Sequence, residues 1–406
     1  MGSFDYTPAK PATVSPRWRK PFAFAEGLKA GTQVATKNRS MASPARSSTF
    51  VNLLGPWDCA ANSTTIVCVG RGAGNGAIAA NITSPDGVTW TGRYTLASAT
   101  WTHVVWDGTK FVASSGSNTT ANSTDGITWT AGTAIPGGTG YGALVVFNGK
   151  TYGFAYGNST ASYGESNDSG ATWTTKTAPT TTTLPTNLCV CVVGGVMYML
   201  RALNLYSTVD GTNWTLLKTF DKIGGYPATP NFIIGNSKCL NVGFYNGPTI
   251  VTSVSKNGGA TWSQFAALRF ANLPTDSGQG SGTTSPTISG RADYNVGVGV
   301  GRVSAVAIQR VMTMSSGRML AVGSLTEYIS DGGGTIAAYH AFVMTSADGA
   351  DWTAGLIGAC GDGAPYVSVC DFNGQVFLPM VLQVSTPQAV AHTLNMDFEE
   401  LIYDHV

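Results

Sequence analysis

Charge is what this chain has least of: Asp, Glu, Lys and Arg make up 11% of its 406 residues, against about 25% in ordinary soluble domains. The 23 basic and 22 acidic side chains leave a formal charge of +1, so no long-range field gathers nucleic acid or anionic lipid. No apolar run reaches 18 residues, which argues against a membrane-spanning helix. Neither nucleic acid nor membrane insertion is therefore expected. His103, His340, His392 and His405 are scattered. The cysteines Cys59, Cys68, Cys189, Cys191, Cys239, Cys360 and Cys370 form no finger, ribbon or redox spacing. They read as small buried hydrophobes, and no metal or other cofactor is implied. Glutamate is scarcer still, since Glu165 and Glu327 are the only ones between Glu26 and Glu399. Finally, Arg17, Trp18, Arg19 and Lys20 stand where a secretory signal would need an apolar stretch. Synthesis in a cytoplasm without a signal peptide is the expectation.

Glycine, by contrast, is abundant at 51 residues, about twice the usual frequency. Many of these glycines belong to a recurring Ser-x-Asp-Gly-x-x-Trp pattern. It reads SPDGVTW from Ser84 through Asp86 to Trp90, STDGITW from Ser123 through Asp125 to Trp129, and SNDSGATW from Ser166 through Asp168 to Trp173. Looser copies are STVDGTNW with Asp210 and Trp214, SKNGGATW ending at Trp262, and SADGADW with Asp348 and Trp352. Successive tryptophans lie 39, 44, 41, 48 and 90 residues apart, the last interval about twice the rest. A period of this length in a strand-rich chain predicts a propeller, small sheets arranged round an axis.

The clearest unit is Trp101–Trp106 as one strand, an Asp107-Gly108 turn, Lys110–Ala113 as the return strand, and a third strand leading into the box at Ser123. The same order recurs at 144–173 and 189–214. For the doubled interval, either 305–308 or 311–314 serves as the inner strand, and insertions near 270–300 and 324–338 supply the extra length. A last unit has Tyr366–Cys370 as its inner strand and carries no box. The count is seven units, with six and eight as the alternatives. The expected fold is therefore an all-β, seven-bladed β-propeller over 49–406. It closes either through Phe50–Leu54 completing the last blade or through Leu401–Tyr403.

Residues 1–48 differ in character. Five prolines fall in the first 44 positions, and eight basic side chains face two acidic ones over residues 1–50. An extended basic docking arm is expected, with Arg17, Trp18, Arg19 and Lys20 as its contact residues.

Within the box, Ser and Asp can hydrogen-bond nearby backbone groups, Gly takes a positive φ, and Trp buries its ring. Ser84, Ser123 and Ser166, with the aspartates and tryptophans of the boxes, thus read as hairpin staples rather than acids. These boxes resemble the Asp-box, or BNR-repeat, of sialidases and other propellers, whose form is Ser-x-Asp-x-Gly-x-x-Trp; Ser166–Trp173 matches it in full. The resemblance implies fold more than activity, because the Asp-box is structural in that family and occurs in hydrolases, receptors and adhesins alike. A sialidase-like site would need an arginine triad, a Tyr–Glu pair and an acid/base Asp. No Arg-Ile-Pro stretch precedes the first box, and the two glutamates show no pairing in sequence. No catalytic residue is assigned.

A low-charge propeller with a proline-containing arm and Gly/Thr-rich loops resembles bacteriophage tail and fibre proteins. That resemblance implies a non-enzymatic virion component whose partners are other tail or fibre proteins, gripped by the arm, with a host surface glycan as a further contact. The alternatives are a carbohydrate-active enzyme of sialidase-like fold and a glycan-binding recognition module.

Overall fold

Runs of β-branched and aromatic residues, cut by glycine turns every few positions, leave this chain little choice but short antiparallel strands. The computed structural model describes residues 54–394 apart from 72–79, 88, 98, 138–142, 155–161, 180–188, 222–228, 247–248, 264–265, 269–286, 289–300, 331–334, 350–351, 361–365 and 383–387. The arm, with Arg17, Trp18, Arg19 and Lys20, lies outside the described residues, as do 50–53 and 401–403.

Among the described residues the strands form seven separate sheets in chain order. The first contains β1 (Leu54–Ala61), β2 (Ile66–Arg71), β3 (Asn81–Ser84) and β4 (Thr91–Arg93). Leu54 thus opens the first sheet, pairing with Arg71, rather than completing the last. The second holds β5 (Trp101–Trp106), β6 (Phe111–Ser115), β7 (Thr120–Ser123) and β8 (Thr130–Ala131). The third holds β9 (Ala143–Phe147), β10 (Lys150–Phe154), β11 (Ser162–Ser166) and β12 (Thr174–Thr177). The fourth holds β13 (Val190–Val193), β14 (Val196–Arg201), β15 (Asn204–Thr208) and β16 (Thr215–Thr219). The fifth holds β17 (Thr229–Gly235), β18 (Leu240–Asn246), β19 (Thr249–Ser255) and β20 (Ala266–Leu268). In these five sheets each strand pairs with the next, so every sheet is a simple meander.

The sixth sheet departs from the sequence reading. It holds β21 (Thr287–Ile288), β22 (Gly301–Thr313), β23 (Met319–Ser330), β24 (Thr335–Ser346) and β25 (Thr353–Cys360). The two rival inner strands at 305–308 and 311–314 belong to one strand, β22, which ends at Thr313 and carries a register shift between Ile308 and Arg310. The extra length near 324–338 is in part paired strand. It extends a hairpin whose ladder runs from Met319↔Ser346 to Ser330↔Thr335. In the seventh sheet the predicted single strand Tyr366–Cys370 is broken into β26 (Tyr366–Val367) and β27 (Cys370–Phe372). Both pair with β28 (Gln375–Leu382), which in turn pairs with β29 (Gln388–Leu394). The break falls at Ser368, whose hydroxyl turns away to Asp58 at 3.4 Å.

The core lies between sheets. Val67 and Val69 of the first sheet pack with Trp101 and Phe111 of the second, and Val112 of the second packs with Leu144 of the third. Tyr152 and Phe154 meet Val190 and Met197, Leu200 and Leu205 meet Ile233 and Leu240, and Phe232 and Ile234 meet Met319 and Phe342. Lastly, Phe372 and Phe377 of the seventh sheet pack with Cys59, Ile66 and Trp90 of the first. Each fully buried aromatic or aliphatic side chain contributes about 1.5–3 kcal/mol, so the junctions are where this fold is held. Consecutive packing that returns to its start defines an all-β propeller.

Candidate functional site

The box turns come first, because the sequence singled them out. In the second sheet the Ser123 hydroxyl donates to Asp125 Oδ1 at 2.9 Å and accepts from Gly126 N–H at 2.8 Å. Asp125 Oδ1 also accepts the amides of Ile127 and Thr128 at 2.7 and 2.8 Å. The same geometry recurs around Ser84 and Asp86, Ser166 and Asp168, and Ser346 and Asp348. In the fourth copy the hydroxyl belongs to Thr208, not Ser207: Thr208 Oγ1 donates to Asp210 at 2.9 Å and accepts from Gly211 N–H at 3.0 Å. In the fifth, Asn257 Oδ1 accepts from Ser255 at 2.9 Å and from Thr261 N–H at 2.9 Å. Partial burial pushes the Asp125 and Asp168 carboxyls up. The donated hydrogen bonds outweigh it and hold both below the usual carboxylate range. The Asn213 and Thr212 amides do the same for exposed Asp210.

Each box also grips the preceding sheet, which the pattern alone does not reveal. Its glycine presses so close that an added Cβ would lie 2.4 Å from Val67 at Gly126, 2.6 Å from Val112 at Gly170 and 2.1 Å from the Tyr152 hydroxyl at Gly211. The box carbonyls are claimed by the neighbour as well. Asn81 Nδ2 donates to Gly126 O at 2.8 Å, Thr120 Oγ1 to Gly170 O at 2.9 Å, Tyr163 OH to Gly211 O at 2.6 Å and Asn241 Nδ2 to Gly349 O at 2.6 Å. The tryptophans complete the latch in two ways. Trp90, Trp129, Trp262 and Trp352 donate from Nε1 to the box glycine's own carbonyl. Trp173 and Trp214 instead donate to Thr120 Oγ1 and Tyr163 OH of the neighbouring sheet. Trp90 and Trp352 are buried, and Trp129, Trp173, Trp214 and Trp262 are half-buried. The first box closes the circle, since a Cβ on Gly87 would overlap the Phe377 ring of the seventh sheet.

A second constellation lies where the inner strands converge. Arg310 of β22 donates from Nε to Asp58 Oδ1 of β1 at 3.0 Å and from a terminal nitrogen to Thr102 O of β5 at 3.1 Å. Asp58 also accepts the Val104 amide at 3.1 Å, the Cys59 amide at 3.0 Å and the Ser368 hydroxyl at 3.4 Å. One ion pair thereby ties the sixth, seventh, first and second sheets together. Burial lifts the Asp58 carboxyl above its usual range, against the opposing pull of Arg310. With its two oxygens accepting four hydrogen bonds, Asp58 has little capacity left for a substrate proton. Asp58 and Arg310, charged residues on strands of mostly small and apolar side chains, were the available sequence signal.

The third constellation superficially matches a glycosidase. Tyr152 OH donates to Glu165 Oε2 at 3.0 Å, the pairing a sialidase-like nucleophile needs. Its surroundings argue against that role. Glu165 is buried and also binds Lys150 at 3.0 Å and Lys176 at 3.5 Å. Burial raises its carboxyl, and the Lys150 and Tyr152 hydrogen bonds together with Lys176 bring it below its ordinary value. Burial and Glu165 push the Tyr152 phenol far up, so it stays protonated, and the Gly211 turn covers its hydroxyl. His103 is likewise buried, with Nδ1 3.0 Å from Thr102 Oγ1. Among the described residues no group of three His, Cys, Asp or Glu side chains could hold a metal ion, and no helix is long and apolar enough to cross a membrane.

Fold and junctions therefore define a propeller whose described polar clusters are internal braces. A family model described as the DUF6242 beta propeller domain matches residues 132–305. Among solved structures, YCF48 bound to D1 peptide is 13% identical over 86% of this chain and 96% of that one, with a TM-score of 0.48. YCF48 from Cyanidioschyzon merolae is 12% identical over 86% and 98%, with a TM-score of 0.44. The WD40 beta propeller domain of Doa1 is 9% identical over 83% and 92%, with a TM-score of 0.45. No curated protein matches the chain.

Proposed function

We propose that this chain is a non-enzymatic structural component of a bacteriophage virion, a tail or fibre protein. In this reading its seven sheets are the blades of one closed Asp-box ring, and its basic arm, residues 1–48, docks on neighbouring virion proteins. The observation that carries the non-catalytic part is the commitment of Asp58, Glu165, Asp125, Asp168 and Asp210 to intramolecular hydrogen bonds, which leaves the described core with braces where an enzyme would keep a free acid or base. The virion setting is supported by composition: low charge, Gly/Thr-rich loops and a proline-containing basic segment suited to folding on a partner. Arg17, Trp18, Arg19 and Lys20 are the docking residues, and a host surface glycan is a further contact of the outward face.

The test is incorporation. Full-length chain and a chain lacking residues 1–48 are expressed during infection, and purified particles are probed for each. Full-length protein in particles with the truncated but folded protein left in the lysate is the expected result. Equal incorporation of both refutes docking through the arm, and absence of the full chain from particles refutes the virion role.

A further inference from the structure

Two cysteines on neighbouring strands and a third more than 300 residues further along the chain meet at the junction of the last sheet with the first. Cys59 of β1 and Cys68 of β2 are register partners, and Cys370 of β27 packs into the same buried cluster. All three are buried free thiols. Cys59 is central, facing Cys68 across the ladder and lying in the same buried cluster as Cys370. Around them stand Asp58, Arg310 and Ser368, already joined by hydrogen bonds.

We propose that this trio is a redox lock for the ring, in which two-electron oxidation by a peroxide joins Cys59 to Cys370 and covalently fastens the seventh sheet to the first. The Cys59 thiolate attacks one oxygen of hydrogen peroxide; an S–O bond forms, the O–O bond breaks, and hydroxide leaves to become water. The Cys370 sulfur then attacks the resulting sulfenic sulfur. The S–S bond forms as the S–O bond breaks, and the thiol proton departs with the second water, so two thiols and one peroxide give one disulfide and two waters.

Two features select this pair and assign the roles. Cys59 and Cys68 are held opposite each other in a continuous antiparallel ladder, where the Cβ directions are fixed and the disulfide torsion is hard to reach. Cys370 instead begins a short strand just after the break at Ser368 and Val369, and the seventh sheet carries no box of its own to grip the sixth. The ladder partner of Cys370 is Phe377, so its position is not tied in register to Cys59 as that of Cys68 is. As for roles, burial pushes the Cys59 thiol up. Hydrogen bonds from Cys370, Cys68 and Ser368, with the Arg310 charge, outweigh it and bring Cys59 toward thiolate, whereas Cys370 and Cys68 are raised. The lock sits where the first and seventh sheets meet, so a bond across it closes a loop of more than 300 residues, whereas a Cys59–Cys68 bond would close only a hairpin.

The experiment uses the full chain under native conditions. It is treated with hydrogen peroxide, alkylated, digested without reductant and mapped by mass spectrometry. The expected product is a reductant-sensitive peptide pair joining residues 59 and 370, with an unfolding midpoint raised by about 5 °C. The pair is expected to persist in Cys68→Ser and to vanish in Cys370→Ser. Exclusive 59–68 linkage, or free thiols at 59 and 370 while methionines are already oxidised, overturns the proposal. Because the map of the unaltered chain decides the question, it does not depend on either variant folding.

Discussion

Replacing Arg310 with Met removes the charge from the inner-strand brace while keeping an unbranched stem of similar reach. The side chains of Arg310 and Asp58 are only 15% and 14% exposed, so water can do little to replace what is lost. The substitution leaves Asp58 with the Val104 and Cys59 amides and Ser368 but without a countercharge. Breaking a buried pair from one side costs about 3–5 kcal/mol, and the residual exposure puts this case near about 3 kcal/mol. Asp58→Asn should cost a similar amount by stranding the guanidinium. The double variant should lose less than the sum, with a coupling of at least about 1.5 kcal/mol. Acidity supplies a second signature. Burial already raises the Asp58 carboxyl, and losing Arg310 raises it further. A folded-state pKa above the unfolded one means stability is lost as pH rises through that window, so the Arg310→Met deficit should be larger at pH 8 than at pH 5. Urea unfolding followed by tryptophan fluorescence reads both quantities. A deficit below about 1 kcal/mol at pH 8, or costs that simply add in the double variant, would falsify the brace as described.

The latches and turns yield further expectations. Asp125→Ala strips three hydrogen bonds from its turn and should cost about 1–2 kcal/mol, whereas Asp125→Asn should stay within about 0.5 kcal/mol because Asn257 performs the same task; thermal midpoints separate the two. Gly211→Ala combines a positive φ with a clash 2.1 Å from the Tyr152 hydroxyl, and Gly149→Ala has a positive φ with open space. The first should destabilise by about 2–4 kcal/mol and the second by about 1 kcal/mol, and equal losses would remove the latch from the explanation. Glu165, Asp125 and Asp168 have carboxyls held below their ordinary values. Their contribution is present above the unfolded pKa and is lost as pH falls through the lower folded values. Acid unfolding should therefore steepen below about pH 4, and Glu165→Gln should flatten that profile when stability is titrated from pH 6 to 2.

Strands and box turns were legible in sequence because their hydrogen bonds close within a few residues: Ser123, Asp125, Gly126 and Thr128 need nothing beyond their own turn. What each turn grips was not legible, because Asn81 and Gly126 stand 45 residues apart and Asn241 and Gly349 stand 108 apart. Arg310 and Asp58 are 252 residues apart, and nothing local distinguishes such a brace from a stray charge. Cys370 was invisible as a neighbour of Cys59 and Cys68 for the same reason. Which hydroxyl serves the fourth turn was open in the sequence for a different reason. Ser207 and Thr208 offer equivalent chemistry, and only the strand register, with Tyr206 and Thr208 alternating against Met199 and Met197, decides which one faces the turn. The hairpin at 324–338 was hidden by its Gly-, Ser- and Thr-rich composition, which suits a loop as readily as a strand.

The direction of the latches bears on how the ring is built. From the second sheet to the sixth, every box reaches backward onto the sheet synthesised just before it and never forward. A growing chain leaving the ribosome can therefore clasp each new meander onto finished structure, and no intermediate has to wait for a distant partner to cover its trailing face. The first box alone has nothing behind it, so Gly87 holds an empty socket until Phe377 emerges last to fill it.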